Sequence, residues 1–255
     1  MRLAQKVALV TSSGPGPCRE TAKLFARQGA RVVVCGRNAE QGRMTVEQIR
    51  QAGGQANFFL TDISLAADVK ATVDETIATY GRLDILFNHA GHTHAQDSSV
   101  VELSEAVWDR VIEVNLKGTF LCCQYALPFL RQSGSGLVIN LVVSEPGQDK
   151  RSQSAIAISR GGVLAMTREI ANEFAQRNVR ANLIWLSPAG ADAEFMPGLE
   201  QPRSLLARQV MYLPEALAAS PNRFEQAAQA ALYLANERSE TTGAVVIVGR
   251  SNGGG

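Results

Sequence analysis

The chain has 255 residues, 45% of them apolar and 19% charged, with 25 Lys and Arg against 24 Asp and Glu and a net charge of +1. That balance excludes a disordered chain and shows no basic field for nucleic acid. No apolar run approaches the roughly 20 residues of a membrane span, no signal-peptide pattern follows Met1, and Cys18, Cys35, Cys122 and Cys123 form no C-x-x-C pair, which fits a reducing cytoplasm.

In chain order, Val7 to Val10 is a short apolar run before Ser/Gly/Pro punctuation and reads as a buried strand. Arg19 to Gln28 carries apolar residues at helical spacing and closes at Gly29. Arg31 to Cys35 is the next strand, 39–52 a helix, Asn57 to Leu60 a strand and Leu65 to Tyr80 a helix. Leu83 to Phe87 is a strand, followed by a long helical region from Glu102 to Leu130. Leu137 to Val143 is an uncharged strand, Ser154 to Arg177 a helix, Ala181 to Leu186 a strand, Phe224 to Ala235 a helix and Ala244 to Val248 a last strand. Strands without charges, alternating with helices, imply a parallel sheet covered on both faces. The expectation is one α/β domain over 1–255, a doubly wound, Rossmann-like, seven-stranded parallel sheet. Residues 190–222, with Pro197, Pro202, Pro214 and Pro221, form a loop or arm of the kind that serves as a lid.

Several motifs stand in a fixed order: Val7-Ala8-Leu9-Val10-Thr11, Asp62-Ile63, Asn88-His89-Ala90-Gly91, Val114-Asn115-Leu116-Lys117-Gly118, Arg180-Ala181-Asn182 and Thr242-Gly243. In that order the chain resembles the short-chain dehydrogenase/reductase family, in its single-domain branch, over essentially its whole length. The resemblance implies hydride transfer with a nicotinamide cofactor. It also implies a catalytic tyrosine, a lysine four residues later that lowers its pKa, and a serine thirteen residues earlier that positions the carbonyl. An unperturbed tyrosine, with a pKa of about 10, is a poor base at neutral pH.

Those three positions hold Ile156, Arg160 and Val143. Isoleucine and valine exchange no protons. Ser144 lies beside the serine position, but a shift of one residue along a strand turns a side chain to the other face. Tyr212, on the arm, is a candidate replacement acid, and His92 or His94 a candidate base. Asn115 matches the helix asparagine that supports a proton-relay water in the family, or else caps a local break in its helix. Arginine at the lysine position also occurs in the halohydrin dehalogenases, which resemble this family but keep a serine and a tyrosine.

The nucleotide motif Thr-Gly-x-x-x-Gly-x-Gly is filled by Thr11-Ser12-Ser13-Gly14-Pro15-Gly16-Pro17-Cys18. Only Gly16 sits at a motif glycine; Ser12 and Cys18 replace the others. Pro17 stands where the family's backbone N–H resembles a phosphate donor, and proline has none. Arg37, after the second strand, suits a 2′-phosphate, so NADP is favoured over NAD if any nucleotide binds. Thr11, Asp62, Ile63, Asn88 and Gly91 are the remaining candidate cofactor contacts. The family's Pro-Gly-x-x-x-Thr segment ends here in Ala193, without the threonine that would bond the carboxamide.

The three histidines, His89, His92 and His94, cluster with Asp97, but nothing completes a metal ligand set, and no metal is expected. Ala155 to Ala175 is rich in small residues, and Gly161 and Gly162 inside a helix point to close helix–helix approach. Family members resemble this in pairing these helices across dimer and tetramer interfaces. Three readings follow. The first is a catalytically degenerate pseudoenzyme, without cofactor, in a homo- or hetero-oligomer with an active paralogous dehydrogenase. The hydroxyacyl-CoA-type dehydrogenase of anaerobic benzylsuccinate degradation resembles that arrangement. The second is an NADP-dependent alcohol/ketone oxidoreductase with a rebuilt acid. The third is a non-redox ligand-binding or lyase use of the pocket, with Arg160 binding an anion.

Overall fold

The computed structural model describes residues 1–12, 14–90, 93–144, 153–187, 210–214, 216–220, 222–236 and 239–249. The elements follow as β1 (Val7–Thr11), α1 (Pro17–Arg27), β2 (Arg31–Gly36), α2 (Ala39–Gln51), β3 (Gln55–Leu60), α3 (Ala66–Tyr80) and β4 (Ile85–Ala90). Next come α4 (Glu105–Ile112), a π-helical turn (Glu113–Lys117), α5 (Gly118–Gln132), β5 (Gly136–Val143), α6 (Ser154–Phe174) and a 3-10 turn (Ala175–Arg177). The chain closes with β6 (Val179–Leu186), β7 (Val210–Tyr212), α7 (Arg223–Leu234) and β8 (Val245–Val248).

The sheet is parallel, with the order β3-β2-β1-β4-β5-β6-β8-β7. It has eight strands, not the expected seven. The additional strand, β7, comes from within the expected arm, where a three-residue segment pairs with β8. A strand this short carries too little pattern to be read from sequence. The expected helix from Glu102 to Leu130 is three elements, because a π-turn at Glu113–Lys117 separates α4 from α5.

Both faces are covered, as the uncharged strands require. Alternate residues Ala8, Val10, Val32, Val34, Ile85 and Phe87 pack under α1, α2 and α7. Their neighbours Val7, Leu9, Val33 and Leu86 pack under α3, α5 and α6. At the N-terminal ends of the strands, the fully buried Asp84 takes both Arg82 nitrogens (2.6 and 2.8 Å) and the Val7 amide (2.9 Å). Strand order reverses between β1 and β4, so the crevice that could hold a ligand opens at their C-terminal ends.

Candidate functional site

Three segments converge on that crevice: the β1–α1 loop, the end of β4, and the end of β5 with the start of α6. The described residues of the β1–α1 loop combine an open glycine backbone with side chains where the motif has glycines. Gly16 is the N-cap of α1 at φ 122°, and the backbone at Gly14 and Gly16 faces open space. Ser12, at a glycine position of the motif, is held at φ 77°, in the left-handed region that favours glycine. Its side chain is hydrogen-bonded to the buried thiol of Cys18, whose pKa burial pushes up to about 12. Pro17 opens α1 without an N–H. Ser12→Gly is expected to stabilise the chain by about 1 kcal/mol by removing the left-handed strain, read as a higher melting temperature; an unchanged or lower value would show that the Cys18 contact outweighs it.

The other proposed nucleotide contacts are engaged within the protein. Thr11 is buried, and its Oγ1 accepts the His89 amide at 3.1 Å. The Asn88 side chain turns away from the crevice into the α5–α6 layer. Its Nδ2 donates to Asn140 Oδ1 (3.0 Å), and Asn140 donates on to Thr167 Oγ1 (2.8 Å). Ile63 packs over α5, where a side chain at Gly118 would begin 2.9 Å from it. Asp62 accepts the Ser64 amide (3.0 Å) and hydroxyl (2.7 Å) and lies 4.0 Å from Arg37. Partial burial works against its charge, yet the Ser64 bonds, then Arg37 and Arg110, hold its carboxyl below the usual range. Arg37 is exposed and Asp62 half-buried. Gly91 and Ala193 lie outside the described residues.

Two of the family's three catalytic positions hold hydrocarbon, and the structure shows what the hydrocarbon does. Ile156 is 2% exposed and packs with Ala155, Val111, Leu103 and Trp108, tying α6 to α4. Val143 is half-buried against the α1–α7 layer. Ser144 continues the β5 ladder, its amide bonding Leu186 O at 2.8 Å, so its side chain is turned to the opposite face from Val143. Arg160 is half-buried on α6, one turn beyond Ile156. Asn115 sits in the π-turn, with Nδ2 donating to Ser159 Oγ (3.4 Å) and its carbonyl accepting the Thr119 hydroxyl (2.6 Å). Tyr212 is not brought to the crevice. It lies in the edge strand β7, three strands and about 14 Å from β5.

The sequence missed Asp97 as a structural group. It is 5% exposed, and its two carboxylate oxygens accept the amides of Ala155 (3.1 Å) and Ile156 (3.0 Å). It caps α6 from fifty-eight positions away, and local capping patterns cannot show a cap supplied from so far along the chain. His89 is half-buried, and desolvation of its ring lowers its pKa to about 4 and leaves the imidazole neutral at pH 7; Nε2 has no partner among the described residues. His94 Nδ1 accepts the Gln96 amide at 3.2 Å, and His92 lies outside the described residues. Among the described residues no three His, Cys, Asp or Glu side chains converge. The four thiols are buried and free of disulfides. No described helix is long and apolar enough to cross a membrane.

Of the small residues in α6, Gly162 makes a close approach within the chain, where a side chain would meet Leu116 at 2.8 Å; Gly161 faces open space.

The family described as Enoyl-(Acyl carrier protein) reductase matches residues 15–250. The chain belongs to the short-chain dehydrogenase/reductase family. It is 34% identical to the short-chain dehydrogenase/reductase astE of Aspergillus oryzae, over 96% of this chain and 94% of that one. It is 31% identical to the 3-oxoacyl-(acyl-carrier-protein) reductase FabG of Thermotoga maritima, over 96% and 97% of the two chains. It is also 36% identical to a dehydrogenase subunit, the (2S)-((R)-hydroxy(phenyl)methyl)succinyl-CoA dehydrogenase subunit BbsD of Thauera aromatica, over 72% and 73%. Among solved structures, a short-chain dehydrogenase/reductase from Burkholderia xenovorans superposes with a TM-score of 0.79 at 31% identity, covering 97% of this chain and 96% of the other.

The family implies a nicotinamide dinucleotide, and this chain fits it unevenly. At the adenosine end, Arg37 and Asp62 are side chains whose charge and hydrogen-bonding groups suit a ribose phosphate and an adenine. At the pyrophosphate, Pro17 removes a donor. At the reacting end, Val143 and Ile156 provide no proton. The residues present do not fit hydride transfer by the family's route.

Proposed function

We propose that this chain is a non-catalytic member of the family, a structural or regulatory subunit that assembles with an active, paralogous dehydrogenase. The observation that carries the reading is Ile156. The position that should present a phenol to the crevice is 2% exposed and belongs to an apolar cluster between α4 and α6. General acid–base work needs a titratable group within hydrogen-bond reach of the substrate, and neither Val143 nor Ile156 is one. The core that builds the sheet is intact, which accords with selection for the fold.

Two features support an assembly role. A groove of about 440 Å³ lies between α5 and α6, floored by Leu127, Met166, Ile170 and Phe174 and edged by Arg131 and Glu169. Phe120 and Ile158 stand exposed on the same helices, at 47% and 45%. One relative is itself named as a dehydrogenase subunit, so a subunit role has a parallel in sequence. If a nucleotide enters at all, Arg37 selects NADP.

The test is calorimetry of the purified chain with NADH and NADPH, together with a turnover screen over alcohols and ketones. The expected result is no binding and no turnover. Micromolar binding accompanied by turnover of any of them would overturn the reading.

A further inference from the structure

Arg168, in the C-terminal third of α6, is 8% exposed. Its Nε and Nη2 are buried and have no hydrogen-bond partner among the described residues. Side chains three and four positions apart share a helix face, and the neighbours of Arg168 on its face are apolar. Leu164 packs with Val163, Leu183 and Val245, and a side chain at Gly243, just before β8, would begin 3.6 Å from Ala171. Arg168 therefore extends toward the start of β8, near the edge of the sheet that β7 closes. The acids that follow it in α6, Glu169 and Glu173, line the α5–α6 groove instead. Burial pushes the guanidinium pKa below its usual value, yet an arginine stays charged at pH 7. A buried charge left uncompensated is strongly destabilising, and an anion seated on Arg168 would remove that cost.

The two unpartnered atoms define the shape of the anion. Nε and Nη2 form one edge of the guanidinium, a fork that meets two oxygens of a planar anion side by side. The chain uses the same fork elsewhere: Arg82 Nε and Nη2 hold the two oxygens of the buried Asp84 at 2.8 and 2.6 Å. Charge balance narrows the choice further. A carboxylate neutralises one guanidinium, whereas a phosphate monoester carries about −1.5 to −2 at pH 7 and would leave excess charge in an apolar setting.

We infer that Arg168 is a carboxylate-binding site, which takes one ionised carboxyl group edge-on through Nε and Nη2. The carboxyl group belongs to a small organic acid or to an Asp or Glu of a second copy of this chain. The site lies by the N-terminal end of β8, at the opposite end of the sheet from the crevice, and it does not depend on the chain being non-catalytic.

The purified chain is melted at pH 7 while acetate replaces chloride at constant ionic strength, and its mass is followed by sedimentation. Acetate is expected to raise the melting temperature of the native chain by about 2–5 °C and to leave R168M unchanged. Methionine is an unbranched helix former suited to apolar surroundings. R168K keeps the charge without the fork and is expected to lose most of the rise; if R168M does not fold, R168K carries the comparison. An Arg168-dependent acetate response in a monomer assigns the carboxyl group to a free acid. Self-association that R168M abolishes assigns it to a second copy. An acetate response that R168M or R168K retains in full overturns the site, as does a native chain with neither an acetate response nor Arg168-dependent self-association. Phosphate that stabilises the native chain as much as acetate overturns the choice of a carboxylate.

Discussion

Asp97→Ala is expected to lower the stability of the chain by about 2–6 kcal/mol, at about 1–3 kcal/mol for each buried amide left without an acceptor. The substitution leaves two amides, those of Ala155 and Ile156, buried at the start of α6 without an acceptor. An ordinary exposed cap lost to alanine costs about 1 kcal/mol, because water replaces it. Here the carboxylate is 5% exposed, and Ala155 and Ile156 are no more open to water. Its negative charge also faces the positive end of a 21-residue helix. Asp97→Asn keeps one acceptor of similar shape and should lose roughly half as much. Chemical denaturation of the three proteins measures this, and hydrogen exchange should show the loss beginning at residues 153–160. A change below about 1 kcal/mol for Asp97→Ala would mean that water reaches the start of α6, contrary to the burial described.

Pro17→Ala is expected to raise the affinity of the chain for NADPH by about 10–100-fold, from below detection in the native chain to a measurable titration. It restores one amide donor toward a charged phosphate, an interaction of about 1.5–3 kcal/mol. The rest of the cradle is compatible with that gain, since Gly16 keeps its φ of 122° and the backbone at Gly14 and Gly16 faces open space. Alanine fits the first turn of α1 without strain. Calorimetry with NADPH compares the two proteins. No gain would place the block elsewhere, at Ser12 or Cys18. Turnover is not expected in either protein, because Val143, Ile156 and Arg160 are unchanged. Affinity without activity therefore separates the loss of the cofactor site from the loss of the chemistry.

The two losses differ in how far sequence could describe them. That Ile156 cannot donate a proton follows from its identity alone. That it had become a packing residue between α4 and α6 did not, because Trp108 and Val111 reach it across forty-five or more positions of chain. Asn88 shows the same divide. Its place in the Asn88-His89-Ala90-Gly91 motif suggested a nucleotide contact, but only the fold puts its amide against Asn140 and Cys123. Tyr212 was a candidate acid because it lay in a segment without pattern; pairing with β8 holds it at the far edge of the sheet.

The sequence by itself determined the layered α/β architecture. Continuous apolar runs and period-3.6 patterns are local, and uncharged strands have no stable alternative to burial on both faces. It also determined that a proton donor is missing at 156 and an amide at 17, since both are properties of single residues. Only the tertiary structure decided the rest: the distant cap from Asp97, the apolar clasp around Ile156 and the eighth strand. Each depends on groups far apart in the chain, and the contacts between such groups are set by packing, which leaves no periodic mark in the sequence.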